Sequence, residues 1–383
     1  MREDVGGDFH VFWQAGRSFL SGAPLYSGYE PGARPFAYPP FAALVFTTFA
    51  FLPVRLAASL YSIFNLAAIG FAAALTWRIA RRTEWDARLV TLVLAVLCSL
   101  RFFLDNFNLT QINALVLLLV LLGVDARLRG DEVRAAAFLV AAAAIKVTPA
   151  FFVVWLLFRG SRRTWGAVVA CGLAVIVVPV LLRGLGKGAL DWIDYYHAFL
   201  ERYQHGEVGT GGTNQDLGAL VYRMMRPPAS ADLGDYRLFT ASPEVAAFVY
   251  KASTMTTLAV FLAHLTALRV RAMPFSIFEV STAFLISHMV SPVTRTAHLV
   301  SLLFPFFALL AIRPTSWPRP ARAVLVVAWT LMAVTGLSGR DLIGQRAYDA
   351  VGGYSVIVWT MLLLFAISVV MSLRKPDRAA VPS

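Results

Sequence analysis

Residues 165–182 read WGAVVACGLAVIVVPVLL, eighteen residues without a charge between Arg163 and Arg183. A helix rising about 1.5 Å per residue carries such a run across most of the roughly 30 Å of a bilayer's hydrocarbon. In lipid the backbone must satisfy its own hydrogen bonds, so a lone apolar run of this kind is a helix. The remainder of the chain repeats the signal. Of 383 residues 58% are hydrophobic and 15% charged, which excludes an ordinary water-soluble globule. Further spans are expected at 54–77, 88–104, 111–127, 244–268, 273–290, 298–312, 321–337 and 351–373, giving nine full crossings. The class is an all-α, polytopic membrane bundle.

A net charge of +12 suggests nucleic acid at first sight. The basic residues fall instead in short clusters between apolar runs, where they act as topology signals, and no nucleic-acid partner is expected. The clusters are Arg78, Arg81, Arg82 and Arg88; Arg127, Arg129 and Arg134; Arg159, Arg162 and Arg163; Arg269 and Arg271; Arg313, Arg319 and Arg322; and Arg374, Lys375 and Arg378. All are assigned to the cytoplasm. For the second and third to share a side, residues 135–158 must enter and leave by the same face. The segment is too short for two spans, and Lys146-Val147-Thr148-Pro149 breaks it. It reads as a helical hairpin dipping into the membrane with Lys146 near its tip. The stretch 38–53, ended by Leu52-Pro53, reads as half-inserted, with a full span as the alternative.

This threading makes residues 1–373 one membrane domain, with 374–383 a cytoplasmic tail. Its large external loops are 1–37 and 184–243, and the smaller ones are 101–110, 291–297 and 338–350. Within the longest, Leu190 to Tyr203 forms an amphipathic helix carrying Trp192, Ile193, Tyr196 and Phe199, suited to lying on the interface. A Gly-rich stretch, Gly209 to Thr213, follows it. No span precedes the first external loop, so an initial span is expected to be missing from this chain, or else the following helix translocates the N-terminus. Cys98 and Cys171 lie in apolar runs and read as small core residues.

Acidic residues are scarce on the external side. Asp8 is either a solvated loop carboxylate, as Asp4 is read, or a general base whose pKa is raised by Phe9, Phe12 and Trp13 beside it. Trp13 and Tyr26 also suit an interfacial aromatic belt. In Ser291-Pro292-Val293-Thr294-Arg295-Thr296-Ala297-His298, Arg295 breaks the positive-inside trend and offers a bidentate fork for phosphate. His298 can donate to the same phosphate or pair with Asp8; its bland reading is a structural hydrogen bond. Lys146 is costly within a membrane and so marks a site, unless it snorkels. Asn108, Gln111, Asn113, Asn214 and Gln215 suit sugar hydroxyls, or cap helices. Arg101, with Arg223 and Arg226, adds external positive charge. Phosphate-binding glycine loops, nucleophile elbows, paired-carboxylate metal sites and zinc spacings are missing, so neither metal nor cofactor is expected.

Several of these strings together carry a resemblance. Asp8-Phe9-His10-Val11-Phe12-Trp13-Gln14-Ala15-Gly16, then Gly22 with Leu25-Tyr26, then Tyr38-Pro39-Pro40 resemble the opening of glycosyltransferase family 87. Thr110-Gln111-Ile112-Asn113, Ile145-Lys146-Val147-Thr148-Pro149, Thr213-Asn214-Gln215-Asp216-Leu217 and Ser291-Pro292 through His298-Leu299-Val300 follow in order, so the likeness spans about residues 8–310. It implies a GT-C architecture and an extracytoplasmic site in a bacterial inner membrane. It further implies Asp8 as general base on an acceptor hydroxyl and a polyprenyl-phosphate sugar as donor. Arg295, His298, Lys146 and Arg101 then meet the donor phosphate, and Trp13, Tyr38 and the five amides the substrates. The activity expected is inverting transfer of a hexosyl, by resemblance mannosyl, unit to a glycolipid or other envelope acceptor. Where the family's late motif carries an aromatic and two adjacent histidines, this chain has Arg295, Ala297 and His298, which leaves donor sugar and acceptor open. The competing readings are a lipid-linked-sugar flippase, against which the absence of a second 135–158-like hairpin argues, and an inactive accessory subunit.

Overall fold

The computed structural model describes residues 8–26, 35–83, 88–201, 213–228, 234–313 and 318–374. Among them lie sixteen α-helices and no strand. In chain order they are α1 (Phe9–Ser21), α2 (Pro40–Ala50), α3 (Val54–Arg81), α4 (Leu89–Asn108), α5 (Asn113–Leu128), α6 (Glu132–Ile145), α7 (Ala150–Arg159) and α8 (Arg162–Arg183). Then come α9 (Leu185–Tyr195), α10 (Leu217–Met225), α11 (Pro243–Val270), α12 (Ile277–Met289), α13 (Leu303–Leu310), α14 (Arg319–Leu337), α15 (Arg340–Gly353) and α16 (Val356–Ser372). The chain divides into two compact units. Residues 1–72 with 102–208 form the first, and 73–101 with 209–383 the second.

Five helices, α3, α4, α8, α11 and α14, are long and apolar enough to cross a membrane. The pair α15–α16, bent by 55°, makes a sixth if counted as one span. Helix α8 shows why water is the wrong solvent: its most apolar stretch is 6% buried, with Val169, Leu173 and Leu181 turned outward. An apolar helix with most of its surface turned outward requires lipid.

Nine full crossings were expected, and three of those segments are shorter than read. Helix α5 begins only at Asn113, after a left-handed Thr110 (φ 49°), and has 16 residues. The 273–290 segment yields the 13-residue α12, because Ser276 and Glu279 form a capping box that starts it late. The 298–312 segment splits into a 3₁₀ turn, Thr296–Leu302, and the eight-residue α13. Two short elements lie where expected: α2 has 11 residues, and α6 and α7 break at Lys146–Pro149, Lys146 being extended. The 338–350 segment, read as a loop, is helical α15 with a break at Gly344 (φ 77°).

In the first unit α1 packs on α2, and α6 packs on α5, α7 and α8. Phe9, Phe12, Phe46 and Tyr61 form its aromatic core, Phe9 stacking on Tyr61 at 4.9 Å and Phe12 on Phe46 at 4.9 Å. Gly16 sets the α1–α2 spacing, since a Cβ there would lie 2.5 Å from the Phe46 carbonyl oxygen. In the second unit α12 is buried along its whole length and packs against α11, α13 and α16. Burial on every side, its polar residues Glu279, Ser281, Thr282, Ser287 and His288 included, makes it the central helix of that unit.

Candidate functional site

Asp8 is the N-cap of α1, its backbone N–H donating to Leu109 O at 3.0 Å. Its side chain caps no amide; Gln111 Nε2 donates to Oδ2 instead. Phe9 and Phe12 turn into the core, 0% and 1% exposed, rather than wrapping the carboxylate. Half-buried Asp8 therefore sits at a polar edge of an aromatic core.

The α4–α5 connection organises this edge. Gln111 N–H donates to Asn106 O at 2.9 Å, and Asn113 Nδ2 to Asn106 Oδ1 at 3.3 Å. Two residues beyond Gln111, Asn113 Oδ1 accepts Lys146 Nζ at 2.7 Å. Asp8, Gln111, Asn113 and Lys146, expected from three separate motifs, are thus joined through one short segment. Its hinge is Thr110, whose positive φ is unusual for a β-branched residue and the kind of strain that collects at sites. Gln111 Oε1 and Asn106 Nδ2 are buried without a partner among the described residues, which suits them to a hydroxylated ligand. Asn106 escaped sequence reading because it lies inside an apolar helix, and the break at Thr110 leaves no helical spacing to link it with Asn113. Asn108 is exposed at the last residue of α4.

Trp13 and Tyr38 are committed locally. Trp13 Nε1 donates to Leu52 O at 3.0 Å, with Arg17 over its ring at 4.9 Å. The Tyr38 carbonyl accepts Tyr26 Oη at 2.7 Å, and its ring meets Phe12 at 4.9 Å. Their visible work is to seat α1 and the segment before α2.

In the second unit the structure brings two predicted motifs together. Asn214 and Arg295 form a lone antiparallel bridge, with Gln215 N–H donating to Thr294 O at 2.7 Å. Thr294 N–H donates to Asn214 Oδ1 at 2.8 Å, and Gln215 Nε2 to Gly352 O at 3.1 Å. Buried Arg223 ties the same segment down, donating to Asn214 O at 2.7 Å and to Ser355 Oγ at 2.6 and 3.0 Å. Asp216 caps α10 through the Ala219 amide at 2.7 Å. Burial pushes its carboxyl up to about 7, against the pull of that amide and of Arg223. Arg295 is exposed, and its backbone N–H donates to His298 Nδ1 at 3.3 Å. With Nδ1 the acceptor, the neutral ring carries its proton on Nε2 and can donate there. Arg101 is buried; it donates to Ser338 Oγ and stacks 5.0 Å above the Tyr348 ring, which fastens the end of α14. Of the Gly209 to Thr213 stretch only Thr213 lies within the described residues, and Asp4 lies outside them.

A family model described as "Glycosyltransferase family 87" matches residues 36–292. A Mycobacterium tuberculosis polyprenol-phosphate-mannose-dependent alpha-(1-2)-phosphatidylinositol mannoside mannosyltransferase is 27% identical over 97% of this chain and 87% of its own. A second protein of that species, the corresponding phosphatidylinositol pentamannoside mannosyltransferase, is 27% identical over 93% of this chain and 78% of its own. A Mycolicibacterium smegmatis counterpart of the latter is 31% identical over 48% of this chain and 45% of its own. With its apolar helices this chain is a multi-pass membrane protein, and with more than half its length matched it belongs to glycosyltransferase family 87.

Proposed function

We propose that the chain is an inverting mannosyltransferase that takes mannose from polyprenyl-phosphate-mannose and passes it to a phosphatidylinositol-mannoside-type glycolipid or a related envelope acceptor. The reaction takes place on the extracytoplasmic face of a bacterial cell membrane. The observation that carries this reading is the Gln111 hydrogen bond to the Asp8 carboxylate, on a segment that also holds Lys146. The names of the similar mycobacterial enzymes supply donor and acceptor class, and the arginine clusters supply the orientation.

Asp8 removes the proton of the acceptor hydroxyl as its oxygen attacks the sugar's anomeric carbon. The bond to the donor phosphate breaks, and its electron pair leaves with the phosphate. That growing charge requires preorganised cations. Lys146, held by Asn113 in the same unit as Asp8, supplies one; Arg295 and His298 of the other unit are candidates by residue type for further phosphate donors. Gln111, Asn113, Asn214 and Gln215 are the amides offered to sugar hydroxyls. Single displacement inverts the anomeric carbon, so an alpha product requires a β-linked donor.

Purified protein given polyprenyl-phosphate-mannose labelled in the sugar and a panel of phosphatidylinositol mannosides tests this. Label should appear in a larger glycolipid. Movement of intact donor across a vesicle bilayer without transfer would instead establish a flippase.

A further inference from the structure

Arg183, the last residue of α8, uses every donor it has. Nε and Nη2 donate to the two oxygens of Asp191 at 2.8 and 3.0 Å, while Nη1 donates to Ser18 O at 2.7 Å and Phe19 O at 3.2 Å. The remaining Nη2 hydrogen goes to Ala23 O at 2.9 Å. Both side chains of the ion pair are buried, 2% and 6% exposed, and the guanidinium lies 5.5 Å from the Phe19 ring centre. The carbonyls it collects are those that end α1, which a helix terminus leaves without partners. Gly22, left-handed at φ 73°, turns the chain so that Ala23 O joins them. Lys187 on α9 donates to Gly22 O at 3.3 Å.

Asp191 is itself held firmly. Gly184 (φ 84°) turns α8 into α9, and Gly188 lies so close that a Cβ would sit 2.4 Å from the Val180 Cα. The corner of α8 and α9 is thus a rigid socket for the far end of α1.

We propose that Arg183, oriented by Asp191, is a positioning residue that fixes where α1 presents Asp8. This rests on the reading of Asp8 as general base. Helix α1 is held at its end by Arg183, in its middle by Gly16 on the Phe46 backbone, and at its start by the Asp8 N–H on Leu109 O. At about 1.5 Å per residue, Gly16 lies roughly 12 Å from Asp8 but only about 4.5 Å from Phe19. Slack at the clamp, pivoting on Gly16, is passed along this longer arm to the Asp8 end, where it strains the bonds to Leu109 and Gln111 that set the carboxylate. Misplacing a reacting group by about 1 Å costs on the order of 10²-fold in rate.

Turnover and donor KM are to be measured for Arg183→Gln and Arg183→Lys, each alone and combined with Asp8→Asn. Arg183→Gln should lower kcat about 10- to 100-fold, a loss within that positional cost, with donor KM within about threefold. Arg183→Lys, which keeps the charge but not the fork, should recover part of that loss. In the Asp8→Asn background, Arg183→Gln should change the residual rate by less than about threefold, because the clamp acts through Asp8. Wild-type kcat in Arg183→Gln, or losses that multiply in the double variant, would overturn the proposal. Should Arg183→Gln fail to fold, Arg183→Lys and Asp191→Asn decide: kcat lowered at unchanged donor KM supports positioning, and unchanged kcat of the folded fraction refutes it. A near wild-type rate in Asp8→Asn alone refutes the base, whatever Arg183 does.

Discussion

Replacing Gly16 by Ala is the sharpest structural perturbation available on α1. The new Cβ would meet Phe46 O at 2.5 Å and Phe46 C at 2.7 Å, where ordinary contact begins near 3.4 Å. The two helices must therefore separate by roughly 0.9 Å, and the obstacle is backbone, which has no rotamer to swing aside. Overpacking of this kind costs about 1–3 kcal/mol, and contact with backbone argues for the upper end. Ala regains about 1 kcal/mol of helix propensity over Gly, leaving a net loss of about 2 kcal/mol. At about 2–4 °C per kcal/mol, the melting temperature should fall by about 4–8 °C. Gly70→Ala on α3, where a Cβ meets nothing within 4 Å, is the control and should not lower it. The assay is the fraction remaining monodisperse after heating in detergent, followed by turnover at a temperature where both variants are folded. Turnover should also drop in Gly16→Ala, because the displaced helix carries Asp8 at its tip. A Gly16→Ala protein as stable and active as the Gly70→Ala control would refute the α1–α2 packing described.

Lys146→Met should weaken donor binding and turnover about 10- to 100-fold, the worth of a charged hydrogen bond, whereas Lys146→Arg should keep a measurable part; donor titration checks it. Arg295→Ala and His298→Ala should each lower turnover and apparent donor affinity, with Arg295→Lys partly active; full activity in both alanine variants moves the phosphate site elsewhere. For orientation, a cysteine at position 211 in a protein lacking Cys98 and Cys171 should react with an impermeant reagent in intact cells, and one at position 162 should not. The reverse pattern would invert the arginine-based threading.

How far these features could be read beforehand varies with their physics. Runs such as 165–182 announce themselves because lipid demands an uninterrupted apolar helix. The break at Lys146–Pro149 was equally legible, since a charge next to a proline has few homes in hydrocarbon. Segments 273–290 and 298–312 misled because α12 and the 3₁₀–α13 pair are apolar by burial inside protein, and hydropathy does not separate a buried helix from a lipid-facing one. Asp8, Gln111, Asn113 and Lys146 were each found by residue type in an unlikely setting. Their hydrogen-bonded junction was not, because it depends on the Thr110 backbone and on Asn106, which only the fold reveals. Arg183 was missed for a related reason: at a helix end it looks like any topology signal, and its partners Ser18, Phe19 and Ala23 lie some 160 residues away.

Transfer by Asp8→Asn, measured with polyprenyl-phosphate-mannose and a phosphatidylinositol mannoside, tests the central claim most directly. Asn keeps the size of the side chain and a hydrogen-bonding oxygen for Gln111 but cannot take a proton. Loss of a positioned base typically costs on the order of 10²- to 10⁴-fold in rate. The account predicts a loss of that size in kcat with donor binding largely intact. Near wild-type turnover in Asp8→Asn would contradict it, whatever the other variants show.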